Sequence, residues 1–138
     1  MLRFIAKLPS VRRLATEAAP AASDRAALRL TLTAPHITHL RDHPMHQVNL
    51  ATEDGDVGIL AGHLPMIFQL RPGVVNVIER PGDAGRRFFA SGGFATVNPD
   101  STLQVGGMEV VPVEEIDGPE VQRGLERAEE MVAKTQDD

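Results

Sequence analysis

The chain has 138 residues, with 14 basic and 19 acidic side chains and a formal net charge of −5. It has no cysteine, which excludes disulfides, thiolate zinc sites and cysteine nucleophiles. It also has no run of about 18 apolar residues, so no segment reads as a membrane span.

Residues 1–23 read as an address. Arg3, Lys7, Arg12 and Arg13 face a single acid, Glu17, and Leu2, Ile5 and Leu8 fall on one helical face. An acid-poor, Arg-bearing, amphipathic start is the pattern of a mitochondrial transit peptide. Pro9 and the segment Ala18-Ala19-Pro20-Ala21-Ala22 break any docking face. Cleavage is expected between residues 14 and 23. Ten of the 14 basic and 18 of the 19 acidic residues follow residue 23, a balance of −8. Such a surface repels phosphate backbones, so no nucleic-acid partner is expected.

From Leu28 the pattern has period two. Leu28, Leu30 and Leu32 alternate with Arg29, Thr31 and Thr33 up to Pro35. Residues 46–51 form a second strand, and Glu53-Asp54-Gly55-Asp56 a turn. Residues 57–60 are a short apolar run and residues 62–65 a loop. Val74, Val75, Val77 and Ile78 mark a strand over residues 73–79. Pro81-Gly82-Asp83-Ala84-Gly85 joins it to a partner over residues 86–91. Strands follow at 94–97, 102–105 and 108–113, with Asn98-Pro99-Asp100 as a turn. Short strands at regular spacing make the chain mostly β, a sandwich or flattened barrel over residues 24–115.

Residues 116–138 change character. Asp117 is a candidate cap, Pro119 suits a first helical turn, and Glu120 favours the positive end of the dipole. A short α-helix of about 15 residues is expected from Pro119. Val121, Leu125, Ala128 and Val132 form one apolar stripe, its packing face.

Candidate chemistry is sparse. His36, His39, His43 and His46 have helical spacing, but Pro35 and Pro44 forbid one helix through them. They read as solvated loop and strand residues, and no metal site is expected. Gly58-Ile59-Leu60-Ala61-Gly62-His63 lacks the Lys-Ser/Thr of a phosphate loop. Ser91 beside Gly92-Gly93 lacks the strand-to-helix setting of a nucleophile elbow. No catalytic residue and no cofactor is expected. Two other readings remain: an enzyme using His63 and Asp56 as acid and base, and a free-standing β-sandwich module binding a ligand or metal.

Four blocks carry a resemblance. Residues 52–65 (TEDGDVGILAGHLP), Leu70-Arg71-Pro72-Gly73-Val74-Val75, Phe89-Ala90-Ser91-Gly92-Gly93-Phe94-Ala95 and Val111-Pro112-Val113-Glu114-Glu115-Ile116-Asp117 occur in that order. In order and spacing they resemble the delta/epsilon family of F-type ATP synthases. The resemblance implies a ten-stranded β-sandwich followed by a helical hairpin. It implies a non-catalytic place in the central stalk, with the gamma subunit, the c ring and, in mitochondria, the small epsilon subunit as partners. The chain would then be peripheral to the inner membrane on the matrix side. Glu53, Asp54, Gly55 and Asp56 would face the polar c-ring loops, which carry basic residues in the family. Leu60, His63, Leu64, Pro65 and Met66 would lie at the gamma and c-ring contact. Two departures are expected: only one helix of the usual hairpin is read in residues 116–138, and the ATP-sensing pattern starts at Ile116-Asp117 but continues Gly118-Pro119-Glu120-Val121. A Glu where an Arg would meet phosphate repels a nucleotide, so no nucleotide site is expected.

Overall fold

A computed structural model describes residues 27–136. The expected transit segment, residues 1–23, lies outside the described residues. Alternation of apolar and polar side chains builds the first strand, β1 (Leu28–Ala34): Leu28, Leu30 and Leu32 are fully buried, whereas Arg29 is exposed. Nine more strands follow: β2 (Ile37–Met45), β3 (Gln47–Thr52), β4 (Gly55–Leu60), β5 (Met66–Leu70), β6 (Gly73–Ile78), β7 (Arg86–Ala90), β8 (Gly93–Val97), β9 (Thr102–Gly107) and β10 (Val110–Pro112). A 3-10 turn at Val113–Glu115 leads to the helix α1 (Gly118–Gln136).

The strand order is β10-β7-β6-β3-β5-β8-β9-β1-β2, with β4 on the other edge of β3. Neighbours are antiparallel except β1 and β9, which run parallel. β3 is the corner of the sheet. Its first half pairs with β6, and its last residue, Thr52, pairs with Leu70 of β5. The sheet therefore folds into two layers, β10-β7-β6-β3-β4 and β5-β8-β9-β1-β2. Between them lie Leu30, Leu32, Val48, Leu50, Ile59, Val75, Val77, Leu103 and Val105, all buried. Burying one such side chain contributes about 2 kcal/mol.

The two ends of the sheet meet. His39 Nε2 on β2 lies 2.7 Å from the Val110 carbonyl oxygen on β10, and its ring centroid is 5.4 Å from that of Phe88. This side-chain seam covers part of two edges that would otherwise expose backbone groups. β2 is further protected by a bulge. The β1–β2 register shifts beside Thr31, Asp42 has φ 48°, and Arg29 grips Asp42 with 2.6 Å contacts from Nε to Oδ1 and from Nη2 to Oδ2.

Four details depart from the sequence reading. The histidine-bearing segment is strand β2, and Pro44 is tolerated because β2 is an edge strand. Met66–Leu70 is also a strand. Gly55 and Asp56 already belong to β4, which leaves Glu53 and Asp54 as the turn. α1 has 19 residues, more than expected. Asp117 does cap it: Glu120 N donates to Asp117 Oδ1 at 3.4 Å.

Candidate interaction surfaces

β4 separates the two groups of candidate residues. Glu53 and Asp54 precede it, while Leu60 ends it and leads into Ala61-Gly62-His63-Leu64-Pro65. Five steps of a strand span about 17 Å, so the acidic turn and the apolar loop sit at opposite ends of the sandwich. β5 returns from the loop end to the turn end, where Glu53 N donates to Gln69 O at 3.0 Å and Arg71 N to Ala51 O at 3.1 Å.

At the turn end, Thr52 Oγ1 donates to Gly55 O at 2.5 Å and ties the hairpin shut. Glu53 and Asp54 project into solvent and have no ion-pair partner among the described residues. Asp56 differs, because its Oδ1 lies 2.6 Å from Arg71 Nη2. The β7–β8 and β9–β10 connections share this end: Ser91 N donates to Glu109 O at 3.0 Å and Met108 N to Gly92 O at 3.2 Å. Gly93 has φ 141°, and a Cβ there would collide with the Gly106 carbonyl. The Gly92-Gly93 pair is thus a place of close backbone approach.

At the loop end, His63 N donates to Leu60 O at 3.2 Å and Gly62 N to Ser101 Oγ at 3.0 Å. His63 Nδ1 sits 2.8 Å from Leu64 O, and its ring packs edge-on to Phe68 at 6.0 Å. These contacts hold the loop so that Leu60, Leu64, Pro65 and Met66 face water. Six further apolar residues that the sequence reading does not single out as surface residues are exposed elsewhere on the chain: Ile37, Ile67, Val74, Phe94, Met108 and Met131. Leu64 is 73% exposed at the loop end, whereas Met108, 76% exposed, lies at the turn end beside Gly92. The pairs Ile67↔Thr96 and Gln69↔Phe94 put Ile67 and Phe94 on one outer face of β5 and β8. Their signal was an apolar residue on the solvent side of an alternating strand, visible only once register is known.

The histidines disperse. His39 closes the β2–β10 seam, and His43 Nε2 lies 3.7 Å from Glu79 Oε1. Among the described residues no group of three or more His, Cys, Asp or Glu is placed to hold a metal ion. The α1 stripe does not pack on the sandwich: Val121, Leu125 and Val132 are 51–59% exposed, and Ala128 is exposed too. No helix among the described residues is long and apolar enough to cross a membrane.

Residues 27–105 match the family described as ATP synthase, Delta/Epsilon chain, beta-sandwich domain. The chain belongs to the ATP synthase delta/epsilon family. Among relatives of this family, ATP synthase subunit delta, mitochondrial, of Kluyveromyces lactis is 45% identical over 78% of this chain and 66% of the relative. The Saccharomyces cerevisiae subunit of the same name is 40% identical over 97% of this chain and 78% of the relative. The chain thus spans about two thirds of the length of several curated relatives, 66% and 68% for two of them. A chain in the Euglena gracilis mitochondrial ATP synthase structure, described as OSCP/F1/c-ring in rotational state 1, superposes with TM-score 0.70 at 36% identity. That match covers 75% of this chain and 64% of the other.

Proposed function

We propose that this delta/epsilon chain is a non-catalytic central-stalk subunit of the mitochondrial ATP synthase, bridging gamma and the c ring. In this reading residues 1–23 are a transit peptide, and the mature chain is peripheral to the inner membrane on the matrix side. One observation carries the reading: an acidic turn and an apolar loop lie at opposite ends of a single strand, about 17 Å apart, in a closed β body.

Each end suits a different neighbour. Glu53 and Asp54, free of internal ion pairs among the described residues, complement the basic polar loops of a c ring. Leu60, Leu64, Pro65 and Met66, extended by Ile67, offer the apolar contact on which a gamma surface can seat. The mitochondrial epsilon subunit is the third partner. Rotation driven by proton flow then passes through the sandwich because hydrogen-bonded ladders and a packed core do not shear. No titrating or nucleophilic group takes part. Glu120, where the ATP-sensing pattern would need Arg, instead lies 2.6 Å from Arg123. No nucleotide site is expected, and calorimetry of the isolated chain with ATP should register no binding below millimolar concentration.

Affinity purification of the tagged chain from its own mitochondria tests the bridge. Recovery of gamma and c subunits together supports it. Recovery of neither, or normal proton-coupled synthesis after deletion, rejects it.

A further inference from the structure

The β8–β9 hairpin turns at the loop end through Asn98-Pro99-Asp100-Ser101. Ser101 N donates to Asn98 O at 3.2 Å and Asn98 N to Thr102 O at 2.9 Å. Asp100 Oδ1 accepts from the Thr102 amide at 3.1 Å and from its hydroxyl at 2.7 Å. A three-residue hairpin connection of this kind closes on a residue in the left-handed region, and Ser101 has φ 62°. Glycine or asparagine takes that conformation readily, whereas serine is strained in it.

The serine hydroxyl has a partner that glycine could not hold. Ser101 is 9% exposed, and its Oγ accepts from Gly62 N at 3.0 Å, across 39 positions of sequence. Its carbonyl accepts from Arg29 N at 3.0 Å, so the serine is itself fixed to β1. The other hydrogen bonds of residues 61–65 are local: His63 N to Leu60 O, and His63 Nδ1 with Leu64 O. The edge-on contact of His63 with Phe68 reaches only the strand that follows. Among the described residues, the Gly62–Ser101 bond is therefore the one hydrogen bond that ties this loop to a distant part of the sheet.

We infer, resting on the reading of this loop as the gamma contact, that Ser101 is a positioning residue. Its hydroxyl holds Gly62 and so fixes the shape in which Leu60, Leu64 and Pro65 meet their neighbour. The backbone at residue 101 stays strained because the residue that would relax it carries no hydroxyl. A loop ordered before contact loses less freedom on binding, so the bond acts on affinity more than on folding.

Two variants separate positioning from plain stability. Ser101→Ala keeps the strained backbone and loses the hydroxyl. Ser101→Gly loses the hydroxyl and relieves the strain. The melting temperature of the purified full chain should fall in Ser101→Ala and stay close to that of the parent in Ser101→Gly. Exchange of the Gly62 amide, followed by NMR, should nonetheless quicken about fivefold or more in both. Recovery of gamma with the tagged chain from its own mitochondria should also fall about fivefold in both. Unchanged Gly62 exchange in either variant overturns the inference. So does gamma recovery that follows the melting temperature and drops in Ser101→Ala alone. Leu64→Glu, measured alongside, keeps the two readings apart. Loss of gamma in Leu64→Glu with full recovery in both Ser101 variants overturns the positioning role and leaves the gamma contact standing. Full recovery in Leu64→Glu rejects the gamma contact instead, and Gly62 exchange alone then decides whether Ser101 holds the loop.

Discussion

Asp56 Oδ1 lies 2.6 Å from Arg71 Nη2, across the gap between the first residues of β4 and the end of β5. The pair is open to solvent, with side-chain exposures of 77% and 46%, so its attraction is screened. Asp56→Ala should change unfolding free energy by less than about 0.5 kcal/mol. Arg71→Ala should cost more, about 1 kcal/mol, because Arg71 Nε also donates to Thr52 O at 3.2 Å and that hydrogen bond is lost as well. Urea denaturation of the two variants checks the order. An Asp56 variant destabilised more than the Arg71 variant would show that the ion pair, not the backbone bond, fixes this corner.

Two glycines with positive φ should answer alanine differently. Gly82 has φ 87° and open space around a would-be Cβ, so Gly82→Ala should cost about 1 kcal/mol of backbone strain. Gly93 has φ 141°, and its Cβ would strike the Gly106 carbonyl, so Gly93→Ala must push β8 from β9 and cost more than about 3 kcal/mol. Melting curves of the two purified variants make the comparison. Similar losses would mean that β8 and β9 part easily.

Acid should weaken the fold through two surface aspartates. Asp42 is held below its ordinary value of 3.8 by hydrogen bonds from Arg29, and Asp100 is lowered by bonds from the Thr102 hydroxyl and amide. A carboxylate whose folded pKa is depressed stabilises the fold above the unfolded value, and that contribution fades as pH falls through the folded one. The loss should therefore begin near pH 3.8 and continue below it. Asp42→Asn and Asp100→Asn should each flatten this acid limb in a pH series of denaturation midpoints, and neither should alter the slope above pH 6.

The β architecture was legible where side-chain alternation is strict. β1, β3 and β6 place alternate residues in the core, and the sequence pattern repeats that arrangement. β2 was hidden because Pro35 and Pro44 bracket the histidines, which read as a mixture of solvated loop and strand residues. An edge strand can hold a proline, and edge position follows from strand order rather than from local sequence. β5 was hidden because Met66 and Ile67 are both exposed and the alternation fails at its start. The residues of the acidic turn and the apolar loop were legible, but their separation was not, since it requires that residues 55–60 form one extended strand. Ile67 and Phe94 were missed because pairing register decides which face they take.

The apolar loop should be dispensable for folding and needed for assembly. Leu64 is 73% exposed, so Leu64→Glu should leave stability within about 0.5 kcal/mol. The same change buries a charge in the proposed gamma contact and should weaken co-purification of gamma about tenfold or more. Unchanged recovery of gamma would remove this loop from the interface.

The opposed placement of two neighbours is tested most directly by cross-linking in the assembled enzyme. The chain has no cysteine, so Asp54→Cys and Leu64→Cys each introduce a single reactive thiol. With a short thiol-to-amine reagent, a bridge predicts that Cys at position 54 captures a c subunit and Cys at position 64 captures gamma. Capture of the same neighbour from both positions, or of gamma from position 54, would contradict it.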